Sequence, residues 1–269
     1  MADAAAPERL PDTMSDAARL LVVVAHPDDE TFGCGSVIAL ASQQGAEVTV
    51  CCATRGEAGE APSWLSDDQS ISEVREAELR AAGDLLGVSR VDVLDFVDSG
   101  MGGVPETGTL AAAPDNAVIE AVQDVIVNVG PHVVVTLDPH HGDGHRDHVV
   151  IGRATTAACA PMPAIRLYYW ALSRPLLTRW FDELARSRPG SAHLELDRAG
   201  LGRPDQDITT MLDTETVRPL RETAIATHAS QIPPYADMPE DLLAEFLTCD
   251  RLVRVQPPWN GGPPERSLF

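Results

Sequence analysis

Unbroken apolar runs, more than alternating ones, set the pattern of this chain. Leu20-Leu21-Val22-Val23-Val24-Ala25 and Val133-Val134-Val135-Thr136-Leu137 read as strands buried on both faces, as in a parallel sheet covered by helices. Glu47 to Ala53, Val91 to Phe96 and Ile165 to Ala171 are further strand candidates. Helical segments fall between them. One spans about 35–44 and is closed by Gly45; another carries Ile71, Val74, Ala77, Ala81 and Leu85 as its apolar stripe until Gly87 stops it; others cover 116–129 and 148–160. Ser70-Ile71-Ser72-Glu73 has the capping-box pattern ahead of the second of these. This alternation predicts an α/β fold, a three-layer Rossmann-like domain with a mostly parallel sheet. Beyond residue 171 the pattern loosens. Ser173 and Pro175 open a helix whose Leu177, Trp180, Phe181 and Leu184 read as core, residues 187–206 read as loop, Ile208 to Leu212 as a short strand and Thr216 to His228 as a helix. The expected organisation is a tail at 1–18, a single domain at 19–255 with C-terminal decoration, and an irregular tail at 256–269.

The polar residues at the ends of the two strongest strands change the picture from fold to chemistry. The first run stops in His26-Pro27-Asp28-Asp29-Glu30, where Pro27 holds His26 extended. One imidazole and two acids within four residues can supply two ligands to a divalent metal and leave a carboxylate free as a base. The second run empties into Asp138-Pro139-His140-His141-Gly142-Asp143-Gly144-His145-Arg146-Asp147-His148. In a doubly wound sheet ligands sit beyond the carboxyl ends of strands at the switch point. These runs count as the first and fourth strands, so the two clusters are expected to meet there. Gly33-Cys34-Gly35 suggests a dinucleotide loop, but Ile38 stands where the third glycine belongs.

Composition narrows the classes of partner. Twenty basic residues, all arginine, face 41 acidic ones for a net charge of −21, which argues against binding to nucleic acid or an anionic membrane surface. Cys34, Cys51, Cys52, Cys159 and Cys249 are odd in number and lack CxxC spacing, so free thiols in a reducing cytoplasm are expected. No signal-peptide pattern opens the chain and no stretch reaches the roughly 18 apolar residues of a spanning helix. A soluble cytoplasmic protein is expected, with self-association into a homo-oligomer left open.

Ala25-His26-Pro27-Asp28-Asp29-Glu30, Thr54-Arg55-Gly56-Glu57, Asp98-Ser99-Gly100-Met101 and His145-Arg146-Asp147-His148 together resemble the LmbE-like (PIG-L) family of zinc-dependent N-acetylglucosaminyl deacetylases, which includes the mycothiol-pathway deacetylase and amidase. His228-Ala229-Ser230-Gln231 is a weaker echo. Spacing alone leaves open whether Asp28 or Asp29 binds metal. The resemblance implies His26, Asp29 and His148 as ligands to Zn2+, with Fe2+ or another divalent ion as alternatives. It further implies Asp28 as general base, His145 as proton donor or oxyanion stabiliser and Asp147 as the residue orienting His145, all serving attack of activated water on an N-acyl carbonyl. Arg55, Asp98, Asp143 and His228 are expected to contact substrate. Asp143 stands where mycothiol-pathway enzymes commonly carry a tyrosine. The implied substrate is an N-acetylglucosamine-type conjugate; the alternatives are amide cleavage of a thiol conjugate or glycosylated natural product, or a non-catalytic metal- or nucleotide-binding module.

Overall fold

A computed structural model describes residues 17–66 and 68–269; most of the expected N-terminal tail therefore lies outside the described residues. The elements are, in order, β1 (Arg19–Val24), α1 (Asp29–Phe32), α2 (Gly35–Gln43), β2 (Glu47–Cys52), α3 (Ile71–Leu86), β3 (Arg90–Val93), α4 (Asp115–Val129), β4 (Val133–Leu137), α5 (Arg146–Cys159), β5 (Arg166–Trp170), α6 (Arg174–Ser187), β6 (Thr210–Asp213), α7 (Arg218–Thr227), α8 (Glu240–Leu247) and β7 (Cys249–Gln256).

The strands form one sheet in the order β3-β2-β1-β4-β5-β7-β6, with β1 to β5 parallel and β7 antiparallel to both its neighbours. β1 is central: Leu20 to Val24 are all fully buried, and Leu20 registers with Val48 on one side and Val133 on the other. The chain turns outward in opposite directions from β1 and β4, and the crevice beyond their carboxyl ends is the switch point that the two apolar runs imply. α4 and α5 pack on one another and on β1 and β4, while α2, α3 and α7 form the other helical group. A second apolar cluster, separate from the sheet's core, joins Phe32 and the α6 stripe to Tyr235, Leu242, Phe246 and Leu247.

Two expectations are corrected. The buried face of α3 is Arg75, Leu79, Ala82, Gly83 and Leu86, whereas Ala77, Ala81 and Leu85 face outward; the stripe read from the sequence is out of phase because an arginine occupies the inward position. Ser70 caps α3 without a side-chain bond, its Oγ pairing with Ser72 Oγ at 2.7 Å. The C-terminal part joins the sheet, with β7 lying between β5 and β6. Residues beyond β7 fold back against the sheet: Glu265 exchanges backbone hydrogen bonds with Thr209 and Met211, and Leu268 is buried in the main core.

Candidate metal centre and active site

The turn after β1 is held in a conformation that its sequence alone would not choose. Asp28 has φ 118° and ψ −31°, a region that costs a residue with a side chain about 1–3 kcal/mol and persists only when its surroundings fix it. Its N–H donates to Glu30 Oε2 at 2.9 Å, and its carbonyl accepts from Thr31 and Phe32 N–H at 3.0 and 2.7 Å. Glu30 is fully buried and is itself fixed by His228 Nε2 at 2.8 Å. From α3, Arg75 Nη2 donates to Pro27 O at 2.7 Å and Asp28 Oδ2 at 3.0 Å, while Nη1 reaches Gly56 O at 2.9 Å. Arg221, also fully buried, donates to the carbonyls of Thr31, Phe32 and Gly33 and pairs with Asp250.

His26, Asp29 and His148 meet across this turn. Asp29 Oδ2 lies 3.3 Å from His26 Nδ1 and Asp29 Oδ1 lies 3.2 Å from His148 Nε2, and the two imidazole centroids are 5.3 Å apart. The opposite nitrogens are occupied. His26 Nε2 faces Asp147 Oδ2 at 3.2 Å and Asp98 Oδ1 at 3.4 Å, and His148 Nδ1 faces Asp143 at 3.0 Å. Each ring is thus oriented by a carboxylate behind it and presents its other nitrogen towards Asp29, as ligating histidines commonly do. Ligand atoms of His26, His145 and His148 lie within 4.8 Å of one another, as do those of His26, Asp98 and Asp147; either grouping shares His26 with the set built on Asp29.

The cluster favours positive charge. Burial works against protonation of His148, but Asp143 and Asp29 push its pKa up to about 10, and Asp147, Asp29 and Asp98 overcome the same burial at His26. Burial would raise Asp29, yet His148 and His26 hold it well below the carboxylate range. A divalent cation satisfies the same carboxylates, and Asp147 Oδ1, buried with no partner, leaves one acceptor over. The donor set of imidazole and carboxylate fits such an ion. Asp28, beside it, is pushed up to about 6 by burial and Asp29, against the pull of Arg75.

His145 precedes α5 as its N-cap and accepts Asp147 N–H on Nδ1 at 3.2 Å. The proton of the neutral ring therefore sits on Nε2. Its centroid lies 4.6 Å from that of His26 and 4.8 Å from that of His148. This changes the part expected of Asp147: its backbone orients His145, while its carboxylate serves His26 and accepts Ser99 N–H at 2.8 Å.

A cavity of about 320 Å³ opens over these groups, lined at its floor by His26, Asp28, Asp29, Asp98, His145 and His148. Asp143 borders it while holding His148. Two expected substrate contacts lie elsewhere. Arg55 donates to Glu76 at 2.9 Å and Asp95 at 3.2 Å, because those carboxylates stand outside the cavity and draw the guanidinium away. His228 is buried behind the turn on Glu30; of its motif it is Gln231 that reaches the cavity. Arg75, His193 and Gln231 are cavity residues that sequence reasoning missed. For Arg75 a signal existed, its i, i+4 spacing from Ile71 and to Leu79. His193 sits in a single 3-10 turn, Ala192–Glu195, with no such mark.

An α/β sheet with a His/carboxylate cluster at its switch point, of a composition that could hold a metal ion, defines the class. Within that class the chain belongs to the PIG-L family, described as GlcNAc-PI de-N-acetylase, whose model matches residues 21–159. A 1D-myo-inositol 2-acetamido-2-deoxy-alpha-D-glucopyranoside deacetylase from Saccharomonospora viridis is 36% identical over 229 residues, covering 79% of this chain and 85% of the relative. Among solved structures, the A40926 pseudoaglycone deacetylase Dbv21 superposes with a TM-score of 0.63 at 21% identity, covering 89% of this chain and 97% of that one. A 4-carboxy-2-hydroxymuconate hydratase from Pseudomonas putida shares the fold at a TM-score of 0.58 and 20% identity, over 91% of this chain and 99% of that one. The fold thus supports more than one chemistry, and function has to be argued from the site. No helix among the described residues is long and apolar enough to cross a membrane.

Proposed function

We propose that the protein is a metal-dependent hydrolase that removes the N-acetyl group from a 2-acetamido-2-deoxyglucosyl conjugate, as its relatives' names describe. The observation that supports this reading is the approach of His26 and His148 to the two oxygens of Asp29, with Asp28 lining the same cavity. Zn2+ is the ion proposed, and it would supply Lewis acidity, making water acidic enough to ionise near neutral pH and polarising the acyl oxygen.

The residues of the chain divide the remaining work. Asp28, one oxygen pinned by Arg75, takes the proton from the attacking water as its oxygen bonds to the acyl carbon. His145 offers Nε2–H to the oxyanion that forms, its ring fixed from behind by the Asp147 backbone. When the C–N bond breaks, Asp28 returns the proton to the leaving nitrogen, giving acetate and a free amine. Asp98, held by His26 and by Gly100 N–H at 2.8 Å, borders the cavity where sugar hydroxyls would lie. The five free cysteines, four of them buried, support a place in the reducing cytoplasm.

The test is acetate release from N-acetylglucosaminides, comparing the wild type with Asp28→Asn. Loss of roughly 10²–10⁴ in kcat at unchanged metal content is expected for a lost general base. Full activity in Asp28→Asn would refute the assignment, and metal binding with no hydrolysis of any amide would favour the non-catalytic alternative.

A further inference from the structure

The cavity has two unlike halves. Its floor is the charged cluster, but much of the rest is carbon, from Trp170, Leu177, Trp180, Phe181, Tyr235 and Phe246, with Arg188, His193 and Gln231 as the polar residues beside them. The α6 stripe divides accordingly. Leu176 and Leu184 serve the second apolar cluster alone, whereas Leu177, Trp180 and Phe181 belong to that cluster and also line the cavity. Two of the polar tips on this wall are already used. Trp180 Nε1 donates to Pro234 O at 2.8 Å, and the Tyr235 hydroxyl donates to Phe32 O and meets Arg221 Nη2 at 3.3 Å. Sugar hydroxyls laid against the Leu177, Trp180, Phe181, Tyr235 and Phe246 part of this wall would find no free partner at those two tips, at the usual desolvation cost. Ile232, 69% exposed, adds a further apolar side chain to the lining.

We infer that this wall is a subsite for a hydrocarbon segment of the substrate, continuous with the amide that the floor cleaves. The inference rests on the N-acyl hydrolase reading and deepens it. A chain laid on the wall is attached either through the acyl group or through the glycoside, and the same apolar chemistry serves both. Each added methylene that leaves water raises kcat/KM by about two- to fourfold until the wall is covered.

The experiment uses the metal-loaded, full-length protein and two series of compounds: N-acyl glucosamines from acetyl to hexanoyl, and alkyl 2-acetamido-2-deoxyglucosides from methyl to hexyl. A rise in kcat/KM with length along the first series places the chain on the acyl side, and a rise along the second places it on the glycoside side; either supports the subsite. Turnover of the short members with flat or falling kcat/KM along both series overturns the subsite and leaves the hydrolase reading standing. No turnover of any member overturns both. In Phe181→Ser the length dependence is expected to flatten; should that variant fold poorly, the wild-type series decides the matter alone.

Discussion

At the scale of single residues, the pairing of Arg75 with Asp28 ties the turn after β1 to α3. The guanidinium contacts the carbonyls of Pro27 and Gly56 and the Asp28 carboxylate at once. A lysine has one ammonium and no fork, so it cannot span these acceptors. Arg75→Lys is therefore expected to lower kcat more than tenfold while the metal content stays within error of the wild type; an unchanged kcat would remove Arg75 from the catalytic machinery. The histidines and acids of the two clusters were readable in the sequence because they end apolar runs. Arg75 was passed over despite its spacing from Ile71 and to Leu79, because binary patterning treats a charge as outward-facing, and here the inward charge is compensated by a partner 47 positions away. Asp143 and Asp147 were read as site residues, but which group each carboxylate faces depends on the path of the loop between β4 and α5, which no spacing rule supplies.

At the scale of elements, Gly56 explains why a glycine comes directly after Thr54-Arg55. It has φ +70°, and a Cβ there would stand 2.2 Å from Arg75 Nη1. Gly56→Ala is expected to displace Arg75, to cost about 1–2 kcal/mol in urea unfolding from the left-handed backbone alone, and to lower kcat. A variant with wild-type stability and turnover would contradict this. Behind the same turn, burial opposes protonation of His228, but Glu30 in contact, with Asp28 and Glu78 beyond it, raises its pKa above the usual value. A raised folded pKa contributes stability in full below about 6.5 and loses it as pH climbs through the folded value. The stability difference between wild type and His228→Gln should accordingly be largest near about pH 6 and shrink on going alkaline. A difference constant across that range would mean that the buried pair is not charged. The elements after β5 were the hardest to read. β7 is placed by pairing with β5 and β6 over long sequence distances, a tertiary effect invisible to local pattern.

For the whole molecule, a charge of −21 means self-repulsion across the surface. Salt shortens its range, from a Debye length of about 30 Å at 0.01 M to about 3 Å at 1 M. Raising the ionic strength between those limits is expected to raise Tm by several degrees, and a fall in Tm would show that surface ion pairs, such as Arg179 with Asp241 and Glu245, outweigh the repulsion. The parallel core and its switch point were legible from two apolar runs and the polar turns at their ends, because a strand buried on both faces has few alternatives. The convergence of those runs on one cation is the claim on which the chemistry depends. It is tested most directly by stripping the protein with a chelator and titrating Zn2+ back while monitoring acetate release from an N-acetylglucosaminide. Activity should vanish on stripping and return in full at about one ion per chain, with His148→Ala failing to recover at that ratio; hydrolysis that persists in the metal-free protein would contradict the claim.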